Sequence, residues 1–197
     1  MHILLASKSP TRAKLLKNAG VEFQLVSHGV DEDEIKLSML SQPPKDIAIK
    51  LSELKALKAS LSNQEAFVIG SDQVLDLNNK LFSKAANIQE AVEQLRELNG
   101  KEHTLITSTV VAKNNNIVWR HLNKSKMKMR VLSDEMIKKY ISDAGEEALN
   151  LVGVYAIEKE GIKLFESIDG DIFSIQGISI LPLIQFLWDN NILFKND

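Results

Sequence analysis

The chain has 197 residues, a formal net charge of −2 at pH 7 and 44% hydrophobic residues. This composition predicts a packed globular protein, and the charge balance gives no reason to expect a nucleic-acid partner. Because the chain contains no cysteine, disulfides, thiolate catalysis and cysteine-ligated zinc are excluded. The first residues lack a basic segment, and the longest apolar stretch, residues 178–188, is shorter than the roughly 20 residues that span a bilayer. We therefore expect a cytoplasmic protein that has no membrane partner.

Strand and helix patterns alternate along the chain. The elements predicted for the first part are a strand (2–6), a helix (12–19), a strand (22–27), an acidic loop (31–34), a helix (45–61), a strand (66–70) and a hairpin (75–82). Those predicted for the second part are a helix (87–98), strands (103–113 and 117–131), a helix (133–143), short strands (152–157 and 162–165) and a closing helix (181–189). With no internal repeat and no linker, the pattern predicts one α/β domain over residues 1–197, with a mixed sheet flanked by helices.

A hydroxyl-rich turn joins the first predicted strand to the first predicted helix. Ser7 and Ser9 lie in this turn, and Arg12 follows it. A helix N-terminus presents free backbone N–H groups and a positive dipole end, so two hydroxyls and an arginine at that point suggest a phosphate ligand. The alternative is a plain helix cap, with Ser9 as N-cap, Pro10 as first helical residue and Gly20 as the stop. The residues alone leave both interpretations open.

Gly70-Ser71-Asp72 follows a buried strand and is a second candidate for chemistry. An acid at the carboxyl end of such a strand lies where α/β proteins place their sites. Gly70 allows another segment of backbone to approach closely. The same tripeptide is also ordinary turn chemistry, so both interpretations stay open.

Other charged and polar residues have a functional and a structural interpretation. One carboxylate of residues 31–34 suits Mg²⁺ beside Asp72, whereas a solvated loop explains the rest. Lys55 and Lys84 are candidate point charges for a phosphate or else surface lysines. His103 and His121 have no partner at metal-ligand spacing, which indicates structural or surface roles. Four basic residues alternate with uncharged ones along one predicted strand: Lys124, Lys126, Lys128 and Arg130. This period of two predicts a solvated sheet face. Because no aromatic residues are interleaved, we expect no RNA-binding surface there.

In their order along the chain, these motifs resemble those of the Maf family of nucleoside triphosphate pyrophosphatases. The family opens with Ser-x-Ser-Pro-Arg-Arg and two leucines, which correspond to residues 7–12 and to Leu15-Leu16. Its Gly-Ala-Asp-Thr block corresponds to residues 70–73. The other matching blocks are Asp31-Glu32, Lys55-Ala56, Lys84, residues 98–103, Gly153-Val154-Tyr155, residues 168–171 and Leu181-Pro182. The resemblance therefore extends over nearly the whole chain.

The resemblance implies a two-lobed α/β fold with a central nucleotide cleft. It implies hydrolysis of a nucleoside triphosphate, standard or modified, to the monophosphate and pyrophosphate with a divalent cation, Mg²⁺ or Mn²⁺. The residues that it assigns are Asp72, Lys55 and Lys84 for catalysis, Ser7, Ser9 and Arg12 for substrate binding, and Glu32 and Asp72 for the metal. Dimers are common in the family, so a homodimer is compatible with this chain.

Several positions depart from the family pattern. Thr11 replaces an arginine of the opening motif, and Gln73 replaces the threonine after the aspartate. Ala85, Leu151 and Glu158 stand where many members have proline, lysine and glutamine. These departures leave the base preference open, as well as the choice between cleaning the nucleotide pool and controlling division. They also allow a catalytically weak regulatory protein that binds nucleotides, or a purely partner-binding protein.

Overall fold

The strands of the computed structural model, which describes residues 2–193, form a mixed sheet. The strands are β1 (Ile3–Ala6), β2 (Gln24–Leu25), β3 (Phe67–Leu77), β4 (Lys80–Phe82), β5 (Glu102–Lys113), β6 (Asn116–Met129) and β7 (Phe165–Asp169). The α-helices are α1 (Pro10–Asn18), α2 (Glu32–Ser38), α3 (Pro44–Ser60), α4 (Ile88–Leu98), α5 (Asp134–Ala144), α6 (Ile172–Ile175) and α7 (Ile180–Asp189). Short 3-10 helices occupy Gly145–Asn150, Val152–Val154 and Glu160–Leu164.

Parallel and antiparallel pairings both occur in the sheet. The strand order is β2-β1-β3-β5-β6-β7, and β4 pairs with β3. Strand β1 is parallel to β2 and to β3, with Leu5 opposite Leu25 and Ile69. The pairs β3–β4 and β6–β7 are antiparallel. The predicted fold class, α/β with a mixed sheet flanked by helices, is therefore confirmed.

The described chain groups into two compact units. Unit 1 contains the residues up to Gln73, Thr107–Asn123 and the residues from Asp171 onward. Unit 2 contains Val74–Ile106 and Lys124–Gly170. That the two together behave as one domain stays a prediction. Among the described helices, none combines the length and the apolarity that a membrane crossing requires.

In unit 1 the core covers both faces of β1 and β3, because alternate residues of a strand point to opposite sides. Leu5 and Ile69 point to one side, where they join a cluster that includes Leu16 of α1 and Leu183 of α7. The residues on the other side form a second cluster against α3: Leu4, Ala6, Val68, Val110, Ala112, Ala56 and Ala59. Helices α1 and α3 are thus held against β1 and β3 by buried apolar side chains.

In unit 2, a neutral polar pair is buried among aromatic rings. His103 Nε2 lies 2.7 Å from the Tyr155 hydroxyl. The ring of Phe165 lies with its centroid 4.7 Å from that of Tyr155 and 6.0 Å from that of His103. Both members of the pair are buried, which confirms the structural interpretation of His103.

The predicted solvated face of β6 is also confirmed. The uncharged side chains of this stretch are buried, namely Ser125, Met127 and Met129. Of the basic ones, Lys124, Lys126 and Arg130 are exposed and Lys128 is half-buried. Because side chains alternate along a strand, the basic residues face solvent and the uncharged residues face the core.

The predicted acidic loop at residues 31–34 is wrong, because these residues begin α2. The Asp31 carboxylate caps the helix by accepting a hydrogen bond from the Glu34 backbone N–H at 3.0 Å. Glu32, Asp33 and Glu34 fill the first turn. The positive end of the helix dipole favours acidic side chains at that position, so the acidic run stabilises the helix start.

The prediction that a strand ends at Gly70 is also wrong. Strand β3 continues through Gly70 and Asp72 to Leu77, so Asp72 lies inside a strand and not at its end or in a turn. The strands predicted at 152–157 and 162–165 are mainly 3-10 helices, Val152–Val154 and Glu160–Leu164. Positive φ angles at Gly153 (78°) and Val154 (57°) are incompatible with an extended strand there.

Candidate active site

The hydroxyl-rich turn caps α1, as one of its two interpretations predicts. The Ser9 side chain accepts a hydrogen bond from the Arg12 backbone N–H at 3.4 Å, and Pro10 is the first helical residue. Ser7 Oγ accepts hydrogen bonds from the Ser9 backbone N–H at 3.1 Å and from Arg12 Nη1 at 3.4 Å. Both hydroxyl oxygens act as acceptors in these bonds, so each hydroxyl can still donate its hydrogen to an anionic ligand. The cap and a phosphate site are therefore compatible at this turn.

Close contact between α3 and β3 depends on Gly70. A Cβ added at Gly70 would overlap the Ser52 carbonyl oxygen and lie 2.9 Å from the Cβ of Ala56. A second link joins α3 to β5, because the hydroxyls of Ser52 and Ser108 lie 2.7 Å apart. The absence of a side chain at Gly70 thus lets α3 lie directly on β3, where Lys55 reaches Asp72.

Lys55 lies between two carboxylates. Its Nζ is 2.7 Å from Asp72 Oδ1 and 2.8 Å from Glu32 Oε1. The exposed fractions of the Lys55 and Asp72 side chains are 3% and 6%, whereas Glu32 keeps 36%. A buried ammonium is costly unless it is paired, and like-charged carboxylates repel each other unless a cation separates them. Each of these three charges therefore lowers the free-energy cost of burying the other two.

Arg12 contributes a second cation near these carboxylates. Its Nε donates a hydrogen bond to the Gly177 carbonyl at 2.7 Å. Burial lowers the pKa of Arg12, and the negative charges of Asp72 and Glu32 raise it. Burial also raises the pKa of Glu32, but the charge and hydrogen bond of Lys55 outweigh burial, so the net pKa of Glu32 is lowered. We refer to Arg12, Glu32, Lys55 and Asp72 as the charged cluster.

His28 is a neighbour of the charged cluster that sequence reasoning missed. Its Nε2 lies 3.9 Å from Glu32 Oε1, and its Nδ1 accepts a hydrogen bond from the Val30 backbone N–H at 3.1 Å. Because Nδ1 is an acceptor, the proton of the neutral ring is on Nε2, on the Glu32 side. Burial, followed by the charge of Lys55, lowers the pKa of His28. The only signal in the sequence is the four-residue spacing from His28 to Glu32.

The charged cluster fits a divalent cation that is shared with a substrate. Asp72 Oδ2 is buried, and no described residue offers it a hydrogen bond. Within residues 2–193 there is no group of three or more histidine, cysteine or acidic side chains that could hold a metal alone. Mg²⁺ at phosphate sites takes one or two carboxylates and completes its coordination with water and phosphate oxygens. Glu32 and the uncommitted oxygen of Asp72 meet that requirement.

The predicted site residues are not all in the same unit. Ser7, Ser9, Arg12, Glu32, Lys55 and Asp72 belong to unit 1, where hydrogen bonds and ion pairs link them into two adjoining groups. Lys84 belongs to unit 2, where it follows β4 at an exposed position. The catalytic role of Lys84 therefore stays a prediction. The departures at Leu151 and Glu158 also lie in unit 2, half-buried and exposed respectively.

Comparison with known proteins shows that the chain is similar to one family. The family model for Maf-like proteins matches residues 2–190. The nucleoside triphosphate pyrophosphatase of Caulobacter vibrioides is 43% identical over 187 residues, which are 94% of this chain and 94% of the relative. The 7-methyl-GTP pyrophosphatase of Rhizobium meliloti is 41% identical over 187 residues, again 94% of both chains. The nucleoside triphosphate pyrophosphatase of Rhodospirillum rubrum is 40% identical over 195 residues, 98% of this chain and 96% of the relative. The matched span includes the positions of the charged cluster.

Proposed function

We propose that this chain, which belongs to the family of Maf-like proteins, hydrolyses a nucleoside triphosphate to the monophosphate and pyrophosphate. The observation that carries the proposal is the ammonium of Lys55, buried between Glu32 and Asp72 beside an unpartnered carboxylate oxygen. Stability alone does not explain such a group, because apolar replacements of buried ion pairs are often neutral or stabilising. The names of relatives about 40% identical to this chain agree with the reaction class.

The substrate's phosphate chain is the natural ligand for the turn before α1. A nucleoside triphosphate carries about four negative charges at neutral pH, so its site needs cations and hydrogen-bond donors. Ser7 and Ser9 supply hydroxyl hydrogens, the start of α1 supplies its dipole, and Arg12 supplies a permanent positive charge. Lys84 is proposed as a further cation on the basis of the family resemblance alone.

The carboxylates would hold the divalent cation, Mg²⁺ or Mn²⁺, through Glu32 and Asp72. When bound, such a cation neutralises phosphate charge and makes the phosphorus a better electrophile. Lys55 keeps the two carboxylates at one place despite their mutual repulsion, since it bonds both. Its proposed role is therefore to position and to balance charge, in addition to any contact with phosphate.

Asp72 is the proposed general base. Its carboxylate takes a proton from a water molecule while the water oxygen forms a bond to the α-phosphorus. The bond between the α-phosphorus and the oxygen that bridges to the β-phosphate breaks, and pyrophosphate leaves with that electron pair. The hydroxyls of the turn stabilise the charge that develops on the phosphate oxygens, and Arg12 binds the phosphate chain equally before and during the attack.

The proposal is tested with two separate variants, in each of which one aspartate of β3 is replaced by asparagine. Wild-type protein with Mg²⁺ or Mn²⁺ is incubated with a panel of standard and modified nucleoside triphosphates, and the products are identified. We expect monophosphate and pyrophosphate from at least one nucleotide, and a loss of about a thousandfold in kcat for Asp72→Asn. The matched control is Asp76→Asn, because Asp76 Oδ1 accepts a hydrogen bond from the Asn79 backbone N–H at 2.7 Å and an amide oxygen keeps that bond.

Three outcomes would contradict the proposal. Release of orthophosphate and a nucleoside diphosphate would exclude attack at the α-phosphorus. Full activity in correctly folded Asp72→Asn would remove Asp72 from catalysis. Calorimetric binding of nucleotides with no product after long incubation would favour the regulatory alternative. Chelation of the cation should abolish turnover, and added Mg²⁺ or Mn²⁺ should restore it.

A further inference from the structure

Ser71 and Gln73 flank Asp72 on β3, and the proposed reaction uses neither of them. Because successive side chains of a strand alternate, both point to the face of β3 opposite Asp72. Ser71 is fully buried and Gln73 is half-buried. Buried polar groups need partners, so the contacts of these two side chains show what they hold in place.

Gln73 holds the backbone of residues 174–177, which we call the anchor turn. Its Nε2 lies 2.9 Å from the carbonyl oxygens of both Ser174 and Ile175, and 3.0 Å from Thr107 Oγ1. Thr107 Oγ1 in turn donates to the Ser174 carbonyl at 2.7 Å. The turn is closed by a hydrogen bond from the Gly177 N–H to the Ser174 carbonyl at 2.9 Å. Side chains of β3 and β5 thus fix the start of the anchor turn.

Ser71 holds the other end of the anchor turn, at the point where Arg12 is attached. Ser71 Oγ lies 2.8 Å from the Gly177 carbonyl oxygen and 2.9 Å from that of Ser108, so its one hydrogen is shared. The Gly177 carbonyl also accepts the hydrogen bond from Arg12 Nε at 2.7 Å. Gly177 has a φ of +105°, and an added Cβ would lie 3.2 Å from Arg12 Nε. The Arg12 guanidinium is therefore hydrogen-bonded to the Gly177 carbonyl, and Ser71 of β3 holds that carbonyl in position.

We propose that Ser71 and Gln73 are positioning residues for Arg12, and that they act by holding the anchor turn. This inference rests on the proposed function, in which Arg12 binds substrate phosphate. A guanidinium is a planar fork that bonds phosphate oxygens well only when its plane is correctly oriented. The orientation matters more in this chain because Thr11 replaces the first of the two arginines of the opening motif and only Arg12 is retained. A single, correctly oriented arginine then binds the phosphate chain, where the family motif supplies two arginines.

The variants Ser71→Ala and Gln73→Met remove these bonds with little change in volume. We expect each to raise the KM for the triphosphate about tenfold and to change kcat by less than about twofold, because the contacts of Asp72 are untouched. Ser60→Ala is the matched control: Ser60 is buried in the same unit, but its hydroxyl accepts a hydrogen bond from the Asn115 backbone N–H at 3.0 Å. The control should leave KM unchanged, whatever it does to stability.

A double-mutant cycle with Arg12→Lys separates positioning from general weakening of the fold. Lysine lacks the planar fork, so Ser71→Ala and Gln73→Met should change KM by less than about twofold in the Arg12→Lys background. Equal increases in KM in both backgrounds would overturn the inference, and so would an unchanged KM in folded variants that carry Arg12. If Ser71→Ala fails to fold, Gln73→Met carries the test, since its side chain is only half-buried.

The cycle also distinguishes this inference from the proposed function. If wild-type protein turns over no nucleotide, the proposed reaction fails, and the same cycle is then run on the calorimetric Kd of a triphosphate. Coupling of the Kd between Arg12 and the two positions would still support the positioning role. Independent effects on the Kd would refute it.

Discussion

Each unit of this protein contains a small set of buried polar side chains. The set in unit 1 is charged, whereas the set in unit 2 is neutral. In unit 1, Lys55 forms ion pairs with Glu32 and Asp72. In unit 2, His103 and Tyr155 share one hydrogen bond of 2.7 Å between aromatic rings. Both groups leave a buried atom without a described partner, Asp72 Oδ2 in the first and His103 Nδ1 in the second.

The difference in charge separates the proposed active site from a structural pair. Burial lowers the pKa of His103 to about 4 and raises the pKa of Tyr155 far above its ordinary value, so both are neutral at pH 7. Glu32, Lys55 and Asp72 instead form ion pairs, although the cost of burying charge is high. Charges kept at such a cost, next to an uncommitted carboxylate oxygen, indicate a ligand that carries charge itself.

The largest expected effect follows from removing the central ammonium of unit 1. Lys55→Met leaves Asp72 buried without its cation, so the free energy of unfolding should fall by about 3–5 kcal/mol and turnover should be lost. Denaturant titration and a pyrophosphate assay measure the two effects. The double variant Lys55→Met, Asp72→Asn should regain part of the stability, because it removes the uncompensated charge. Unchanged stability in Lys55→Met would mean that the pair is not a buried one.

The second prediction concerns the pH dependence that His103 gives to unit 2. In the unfolded chain this histidine titrates near pH 6.5, whereas in the folded protein its pKa is about 4. Between these values the unfolded state binds more protons, so stability falls as the pH falls, by about 3 kcal/mol in all, and this contribution falls no further below pH 4. Denaturant titrations at several pH values should show a shallower loss for His103→Gln than for wild type. Identical slopes would contradict the buried neutral state of His103.

A third prediction tests how α3 positions the charged cluster. Gly70→Ala should cost about 2 kcal/mol of stability, because the added methyl group forces α3 away from β3. Turnover should fall more than the folded fraction does, since Lys55 and Asp72 lie on the two separated elements. Gly20→Ala is the comparison variant: its φ of +73° should cost alanine about 1 kcal/mol of stability. Because its Cβ meets nothing within 4 Å, it should leave kcat unchanged. Equal kcat values in the two variants would argue against this role of α3.

The smallest expected effect comes from an exposed ion pair of unit 1. Arg120 Nε lies 2.6 Å from Glu53 Oε1, with the arginine mostly in solvent. Arg120→Gln should change the free energy of unfolding by about 0.5 kcal/mol or less, and added salt should abolish even that. A loss comparable to that of Lys55→Met would show that burial is not what distinguishes the charged cluster.

Much of the site could be predicted from the sequence because its motifs are local and ordered. The Ser9 cap, the apolar run of β1 and the blocks that contain Glu32, Lys55 and Asp72 are short patterns that depend little on distant residues. Their common order also led to the Maf family, which the family match over residues 2–190 confirms. The start of α2 is predictable too: Asp31 as cap and acids in the first turn are a helix signal, although a run of four acidic residues is also typical of a solvated loop.

What the sequence could not show depends on contacts between distant segments. Gly70 resembles a turn residue in isolation, and only the approach of α3 explains why β3 continues through it. The hydrogen bonds of Gln73 to Ser174 and Ile175 join residues about one hundred positions apart, so no local pattern predicts them. At Gly153 and Val154, positive φ angles prevent an extended backbone, although the apolar residues around them favour a strand.

The most direct test of the charged cluster as a pyrophosphatase site is the fate of the water oxygen. Turnover of a triphosphate substrate in H₂¹⁸O, followed by ³¹P NMR of the products, locates the oxygen that water contributes. Attack at the α-phosphorus predicts that the label appears in the nucleoside monophosphate, and that folded Asp72→Asn yields neither labelled product. Label in pyrophosphate, or in free orthophosphate, would contradict attack at the α-phosphorus.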